Sequence, residues 1–499
     1  MFKGIILHTI GKVAFVIGSY VMHYYLMHQL PDAVYGLVGV LITIINFEYL
    51  FLNHGIRQAI SNLIAKNIFH TGDIVKKGLL YQGVLITVIS LVTFFGASVI
   101  ADLLNDATLT PYIRFAAYLV PFTGFYFALL GVLNGFKLFV AEACIVTIYP
   151  LLRLSVIPFV GSVFQDPLNG TQMGFLFAAS GIFTISAAVL FKKRSLLKSD
   201  KPKVKHLPYI KSAVGFSIIF AIASVVMNLD TTILKMKDVG DAQLGYYTAA
   251  VTVGKVPFYL LSAFFLVVLP VVTRYHADRT TEKASEAIRD LLTIILSVVL
   301  PFVVIVSASS HEFLSLYSPT IAYTAASSAL SFLLFGTFSL GLMLVFSMVL
   351  SAVEKKNFST GLSLVMLFVF GIVCYLFSTW WGITGAGLTS LVVCTAAMLV
   401  GFWKVCRVFP KILNRSHFIL IGLNIVAFFV VRIVVSLVTF PNLIFLLGTY
   451  IIIFLAFIAI FVFSGILSIQ KLREMFIKDK ASTENKEDGC DLVDEKRKR

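Results

Sequence analysis

The sequence predicts an all-α polytopic membrane protein with about 14 transmembrane helices, forming two pseudo-symmetric six-helix bundles plus two C-terminal helices. Three observations predict this fold: the composition, the long apolar runs, and short repeats in matching places of the two halves. Of the 499 residues, 59% are apolar and only 13% are charged. Soluble domains carry about 25% charged residues, so a soluble globule of this size would lack the polar surface that it needs.

The predicted spans follow from the bilayer, whose hydrocarbon core of about 30 Å needs about 20 mainly apolar residues per helix. Fourteen runs meet this requirement: 4–28, 33–54, 79–103, 112–134, 139–163, 171–191, 209–233, 246–271, 290–309, 323–351, 358–378, 382–403, 417–437 and 443–468. The first two carry many polar groups, and the eleventh and twelfth are joined by a very short connection.

The distribution of Lys and Arg predicts the orientation. Of the 40 basic residues, 33 fall on the side that the two termini share, three fall on the other side and four lie within spans. Cytoplasmic loops carry the excess of positive charge, so we expect a multi-pass protein of the inner or plasma membrane with both termini in the cytoplasm. The net charge of +15 is then a topology signal, and no nucleic-acid partner is expected.

Five regions follow from the spans. We predict an N-terminal six-helix bundle (1–195), a basic cytoplasmic linker (196–208), a C-terminal six-helix bundle (209–408), helices 13 and 14 (409–469) and a charged cytoplasmic tail (470–499). The five Cys residues form no CxxC pair, so neither a disulfide framework nor a metal site is expected.

The repeat is a short phrase between spans 1 and 2 that recurs between spans 7 and 8. Asp32 begins "DAVYG" and Asp241 begins "DAQLG", 209 residues later. Two further pairs keep the same order: "VLNG" at 132–135 with "VLSA" at 349–352, and "GTQMG" at 170–174 with "GITGAG" at 382–387. Such duplicated halves are a common plan of secondary transporters, which place their site between them.

Polar residues follow one helical face in each of four spans. The stripes are His8, Lys12, Ser19 and His23; Thr43, Asn46, Tyr49, Asn53 and Arg57; Ser217, Ser224, Asn228, Thr231 and Lys235; and Thr248, Thr252, Lys255, Tyr259 and Ser262. The first two stripes lie in spans 1 and 2, and the others in their repeat counterparts, spans 7 and 8. Polar groups within spans usually face a cavity, so we predict a central water-filled cavity lined by these four helices.

The cations of the stripes predict the class of substrate. Lys12, Arg57 and Lys255 are expected to form a cationic floor that binds an anion such as a phosphate. Two alternatives stay open, because Lys12 can snorkel to the interface and Arg57 can be a topology charge. The predicted lining is His8, Ser19, His23, Asn46, Asn53, Asn228, Thr252 and Tyr259.

Three further residues are candidates for coupling or gating: Glu48, Asp230 and Arg153. Glu48 and Asp230 lie off the stripes, and either acid can pair with a cation or bind a coupling proton or sodium ion. Asp230 can equally serve an outer gate or a helix end. The sequence contains no GxxxxGK[ST], GxSxG, HExxH or CxxC motif, so no enzyme activity and no cofactor are expected.

Three stretches carry a resemblance to a known family. They are "YGLVGVLITI" with "NHGIRQAISNLIAK" (35–44 and 53–66), "MNLDTTILKMKDVGDAQLGYYTAAVTVGKVPFYL" (227–260) and "LPVVTRYHAD" (269–278). The chain resembles the polysaccharide and lipid-linked-oligosaccharide flippases of the multidrug/oligosaccharidyl-lipid/polysaccharide exporter superfamily. The resemblance implies alternating access between two bundles that move a polyprenyl-diphosphate-linked oligosaccharide from the inner to the outer leaflet. In the branch with fourteen spans, it also implies that the last two help to shape a groove for the lipid tail.

The resemblance also implies which partners to expect and which alternative functions to weigh. The expected partners are the lipid-linked sugar, an H⁺ or Na⁺ coupling ion and membrane lipids; we expect a monomer, with polysaccharide-assembly proteins as candidate contacts. The first span lacks the arginine-dense pattern of lipid II flippases, since Lys12 stands alone. The main alternative is a multidrug or cation antiporter of the same fold, which the excess of cations on the stripes disfavours. A membrane glycosyltransferase or polymerase is a further alternative, but no long outer loop exists for its active site.

Overall fold

The structure is a computed structural model that describes residues 2–53, 55–198, 201–204, 206–262, 264, 272, 280–353, 356–438 and 440–463. The described residues are predominantly helical. In the first half the helices are α1 (Phe2–Gln29), α2 (Asp32–Asn53), α3 (Ile56–Lys66), α4 (Thr71–Leu103), α5 (Thr110–Ala116), α6 (Leu119–Gly135), α7 (Phe139–Arg153), α8 (Val156–Pro158) and α9 (Pro167–Lys192).

The second half begins inside the predicted linker, at His206. Its helices are α10 (His206–Met236), α11 (Asp241–Gly254), α12 (Val256–Ser262), α13 (Thr281–Ile294), α14 (Leu300–Ala308), α15 (Ser310–Tyr317), α16 (Ser327–Ala352), α17 (Lys356–Val408), α18 (Arg415–Leu437) and α19 (Leu443–Phe463). Short 3₁₀ or π-helical turns join several of them, for example at Phe159–Val163 and Ile295–Val299.

All fourteen predicted spans overlap these helices, and the predicted fold class is confirmed. Eleven segments of the described chain are long and apolar enough to cross a membrane. One of them, 357–408, contains Gly382 at φ 54°, ψ −131°, a conformation that favours glycine. The break divides α17 into two helices that correspond to predicted spans 11 and 12.

Each half packs mainly within itself. In the first half α1 packs on α7, and α6 packs on α3, α4 and α9. In the second half α16 packs on α11, α12, α14 and α17, while α18 and α19 pack on α14. The two halves meet where α2 contacts α10 and α11, which are the helices that carry three of the predicted polar stripes.

The two copies of the Asp-Ala-x-x-Gly phrase lie against each other. A Cβ atom on Gly36 would lie 2.2 Å from the carbonyl oxygen of Asp241, and a Cβ atom on Gly245 would lie 2.3 Å from that of Asp32. This reciprocal contact is what a pseudo-twofold axis between the halves produces. The glycines therefore let the starts of α2 and α11 approach to backbone contact at the predicted outer end.

Candidate functional site

A polar cavity lies at the junction of the two halves, between α1, α2, α7, α10, α11 and α12. Seven of the predicted site residues line it: Ser19, His23, Asn46, Arg153, Thr252, Lys255 and Tyr259. Its volume is about 100 Å³, whereas pockets for small molecules measure about 300–1,000 Å³. An oligosaccharide therefore needs the two halves to separate before it can enter.

Among the side chains that the structure describes, one cation from each half lines the cavity. Arg153 ends α7, and its guanidinium lies over the rings of Phe15 and Phe175, at 5.8 and 4.7 Å from their centroids. Its Nε is buried and has no hydrogen-bond partner among the described residues. Buried donors are normally paired, so Arg153 keeps a donor available for an anionic ligand.

Lys255 lies at the break between α11 and α12. The break is caused by Pro257, because proline has no N–H to donate and its ring clashes with the preceding turn. Lys255 Nζ is 3.4 Å from Oδ1 of Asn228, a neutral group. Among the described residues no carboxylate lies within 4.0 Å of Lys255 Nζ, so the ammonium group contributes positive charge to the cavity.

A hydrogen-bonded asparagine pair connects the halves beside the cavity. Asn46 of α2 donates from Nδ2 to Oδ1 of Asn228 of α10 at 3.3 Å, and Asn228 donates to the carbonyl oxygen of Ser224 at 2.8 Å. The same Asn228 oxygen faces Lys255, so one side chain links both halves to the cation. His23 lies at the cavity wall, where its Nδ1 is 3.1 Å from the hydroxyl oxygen of Tyr35.

Arg57 does not line this cavity, and its predicted place in the cationic floor stays a prediction. Its Nη1 donates to Asn53 Oδ1 at 2.6 Å, and its Nη2 lies 3.2 Å from Glu142 Oε1. The physical reason is that the helix is interrupted at Gly55, where φ is 81°. The helical spacing that placed Arg57 on one face with Asn46 does not continue through this break. Asn53 lies before the break, within α2, but it does not line the cavity either.

The Arg57–Glu142 pair belongs to a polar cluster within the first half. Asn134 donates to Glu142 Oε2 at 2.9 Å and accepts from Ser61 Oγ at 2.9 Å. The Glu142 side chain is 3% exposed and that of Arg57 is 23% exposed. Removal of one partner leaves the other charge without compensation, so the cluster is expected to stabilise the packing of α3 against α6 and α7.

A double-mutant cycle tests this structural role. We expect Arg57→Met and Glu142→Gln each to lower the free energy of unfolding, and the double variant to lose less than the sum, with a coupling energy of about 1–3 kcal/mol. Unfolding of the purified protein in detergent measures it. Arg289→Met is the control, because the Glu286 side chain in its 3.5 Å pair is 56% exposed, and solvent-exposed pairs contribute about 1 kcal/mol or less. If the losses of unfolding free energy in the two single variants added up to that of the double variant, Arg57 and Glu142 would not stabilise the protein as a pair.

The two acids of the coupling hypothesis lie away from the cavity lining. Asp230 is 2% exposed, and it accepts hydrogen bonds from Tyr247 Oη at 2.6 Å and from the backbone N–H of Thr231 at 2.7 Å. Glu48 is 4% exposed and faces a separate cleft between α2 and α4. The predicted roles of His8 and Lys12 concern side chains outside the described part of the structure, although the backbone of both lies in α1.

Phe15 and Gly39 are among the cavity-lining residues that the sequence patterns did not indicate. Phe15 supplies an aromatic face to Arg153 and an edge contact to Tyr259, at 6.1 Å between centroids. Gly39 lets Thr248 approach, since a Cβ atom there would lie 2.1 Å from its Oγ1. Gly36 and Gly39 are three residues apart and so share one helical face, which was the available signal for this close approach. Arg153, our candidate for coupling or gating, lies at the cavity wall, and that role stays a prediction.

Polar contacts close the predicted outer end above the cavity. Lys235 Nζ lies 2.8 Å from Asp106 Oδ2 of the first half and 2.7 Å from Asp241 Oδ1 of the second. Tyr246 donates to Asp32 Oδ2 at 3.2 Å. Partial burial raises the pKa of Asp106, but hydrogen bonds from Lys235 and Thr108 outweigh it and hold this pKa below its usual value. The carboxylate is therefore charged at neutral pH, and the ion pair persists there.

The matched families and folds are those of membrane transporters and not of enzymes. A family model described as polysaccharide biosynthesis protein matches residues 1–276, and the MatE model matches residues 216–376. A comparison with curated proteins finds no match.

Three solved structures share the fold. The lipid II flippase MurJ in an inward closed conformation aligns with a TM-score of 0.71 at 14% identity, over 93% of this chain and 100% of that chain. An inward-facing multidrug resistance MATE family transporter of the MOP superfamily aligns with a TM-score of 0.66 at 15% identity, over 80% and 94%.

The third is a MOP superfamily transporter from Pyrococcus furiosus, described as having a binding pocket of reverse polarity. It aligns with a TM-score of 0.62 at 15% identity, over 82% of this chain and 96% of that chain. At such identities these structures show a common fold. The polysaccharide biosynthesis model, in contrast, matches more than half of the sequence. The chain therefore belongs to the polysaccharide biosynthesis protein family.

Proposed function

We propose that this protein is a flippase that moves a polyprenyl-diphosphate-linked oligosaccharide, a precursor of a cell-surface polysaccharide, from the inner to the outer leaflet. One observation carries the proposal: the cavity between the halves receives a cation from each, Arg153 and Lys255. Such charges suit a diphosphate, which Arg binds as a fork and Lys as a point charge. Polar side chains around them, such as Asn46 and Thr252, offer hydrogen bonds to sugar hydroxyls.

The arrangement of the halves supports alternating access. At the predicted outer end they are in contact through Gly36, Gly245 and Lys235, and the cavity beneath is small. Separation of α2 from α10 and α11 would enlarge the cavity and break the Asn46–Asn228 hydrogen bond. With both termini in the cytoplasm, as the distribution of basic residues predicts, closure of this end corresponds to a state that receives cargo from the inner leaflet.

Asp230 is our candidate for the residue that binds the coupling ion. Its carboxylate is buried in the second half, close enough to Tyr247 and Thr231 for both to orient it. A proton or sodium ion at this carboxylate would change the charge of α10, which also carries Asn228 and Lys235. The coupling ion would then act on the same helix that contacts cargo and outer gate.

The same family of folds includes multidrug transporters, so the test compares two substrates. The full-length protein in proteoliposomes is supplied with a fluorescent polyprenyl-diphosphate-linked oligosaccharide or with a lipophilic cation. We expect transbilayer movement of the first, seen as loss of protection from an added reagent, and none of the second above empty liposomes. Movement of the cation alone would support the antiporter alternative and would overturn the proposal.

A further inference from the structure

A second cavity of about 430 Å³ lies on the other side of α2, between α2, α4 and α10. Its wall is almost entirely aliphatic and aromatic, with Ile44 and Phe47 from α2 and Leu85 and Ile89 from α4. Pockets of this volume and lining accept apolar ligands. This apolar cleft is distinct from the cationic cavity described above.

One helix wall separates the two cavities. On α2, Thr43 and Asn46 line the cationic cavity, whereas Ile44 and Glu48 line the apolar cleft. On α10 the neighbouring residues Thr231 and Thr232 divide in the same way. A ligand with a polar head and an apolar chain can therefore occupy both cavities across the α2–α10 contact, with each part in its preferred surroundings.

The apolar cleft opens on the membrane face of the first half. Val88, Val92 and Phe51 line it and are 52%, 63% and 55% exposed. In a bilayer such residues contact lipid chains, and an apolar chain enters from there without crossing water. This position indicates a membrane-borne ligand.

Glu48 gives the apolar cleft one strongly polar point. The residue is 4% exposed, and neither carboxyl oxygen makes a hydrogen bond of standard geometry within the described residues, although the Thr93 side chain is close enough to interact with the carboxyl group. A buried polar group without a partner is costly. A plain hydrocarbon chain would leave that cost in place, whereas a chain that ends in a phosphate ester offers an oxygen to which the carboxylic acid form can donate.

We propose that the apolar cleft binds the isoprenoid chain of the cargo, with the phosphate-bearing end of the chain at Glu48. This inference rests on the proposed function, because the cationic cavity next to the cleft supplies the place for the head group. The chain enters between α2 and α4 from the bilayer, and the diphosphate and sugar pass to the cationic cavity when the Asn46–Asn228 contact opens.

Photolabelling of the full-length protein in nanodiscs tests the site. The probe is a polyprenyl phosphate that carries a diazirine in its chain and no sugar, so labelling does not depend on translocation. We expect labelled peptides from α2 and α4. Ile89→Trp fills the apolar cleft and is expected to reduce labelling at least tenfold. Leu91→Trp is the matched control, since Leu91 lies on the same helix, is 50% exposed and is expected to leave labelling unchanged.

Variants of Glu48 test the polar end of the site, and the pattern of labelling distinguishes the proposed ligand from other lipids. We expect Glu48→Gln, which keeps a hydrogen-bond donor, to retain labelling, and Glu48→Leu to reduce it at least fivefold. Labelling confined to α18 and α19, or complete displacement by an equal amount of phospholipid, would overturn the cleft assignment. Intact labelling of α2 and α4 without any oligosaccharide translocation by the wild-type protein would instead count against the proposed function and leave the chain site standing.

Discussion

Gly36→Val is expected to abolish transport. A Cβ atom at this position would lie 2.2 Å from the carbonyl oxygen of Asp241 and 2.8 Å from the backbone nitrogen of Gly245. Both obstacles are backbone atoms at the start of α11, so no side-chain rotation relieves the overlap. The starts of α2 and α11 must then move apart, and the closed arrangement of the predicted outer end becomes inaccessible.

Gly36→Val is expected to lower the population of the closed arrangement strongly. A change of about 5.5 kcal/mol takes a two-state equilibrium from 99:1 to 1:99, and backbone overlap on this scale costs more than ordinary overpacking of about 1–3 kcal/mol. Spin labels at Asp102 and Asp238, exposed positions on opposite halves, report the separation. We expect a short distance in the wild-type protein and its loss in Gly36→Val.

Gly96→Val is the matched control for this experiment. A Cβ atom on Gly96 has no heavy atom within 4 Å, so the same substitution there adds no overlap. We expect transport within about twofold of wild type, since surface substitutions usually change stability by less than 0.5 kcal/mol. Gly245→Val is expected to repeat the Gly36 result, because its contact with Asp32 is the reciprocal one. Full transport by Gly36→Val and by Gly245→Val would contradict the role of this contact as a gate.

Removal of both cavity cations is expected to have the second large effect. A hydrogen bond to a charged group contributes about 1.5–3 kcal/mol, which corresponds to about 10–100-fold in affinity. We therefore expect Arg153→Gln and Lys255→Gln each to slow oligosaccharide translocation at least tenfold, and the double variant at least a hundredfold. The proteoliposome assay with the lipid-linked oligosaccharide measures the rates.

The control for charge is Arg114→Gln. Arg114 lies over the ring of Phe94, 5.9 Å from its centroid, remote from the residues that line the cavity. We expect it to transport at the wild-type rate. A double variant of Arg153 and Lys255 that transports normally would show that the cavity cations do not bind the cargo. If the double variant also exported a lipophilic cation, the protein would belong to a different substrate class.

The sequence was sufficient for the fold because membrane spans are set by length and apolarity. All fourteen predicted runs overlap helices, and the family resemblance is confirmed by the match over residues 1–276. The opening phrase of the repeat also pointed to a real contact, the reciprocal approach of Gly36 and Gly245. The boundaries of the predicted regions stay predictions, although α10 begins at His206, inside the predicted linker.

The site was predictable only where a helix stays regular. Ser19, His23, Asn46 and Lys255 were placed by helical spacing, and they do line one cavity. Arg57 does not line this cavity, because Gly55 turns the chain between α2 and α3. Helical spacing counted along α2 therefore does not predict which way Arg57 faces.

Tertiary packing decided the remaining assignments. The sequence cannot show that Arg153 meets Phe15 and Phe175, which belong to other helices. Nor does the polar stripe of α2 reveal that its opposite face borders a second cavity at Glu48. A helix between two cavities has two functional faces, and a pattern of polar residues marks only one of them.

The two halves together form a cationic cavity, and we propose that it binds an anionic head group. Calorimetric titration of the purified full-length protein with a soluble sugar diphosphate, which has no lipid chain, tests it most directly. We predict binding to the wild-type protein and at least tenfold weaker binding to both Arg153→Gln and Lys255→Gln, with Arg114→Gln unchanged. Equal affinity in all four proteins, or no binding to the wild-type protein, would contradict the account.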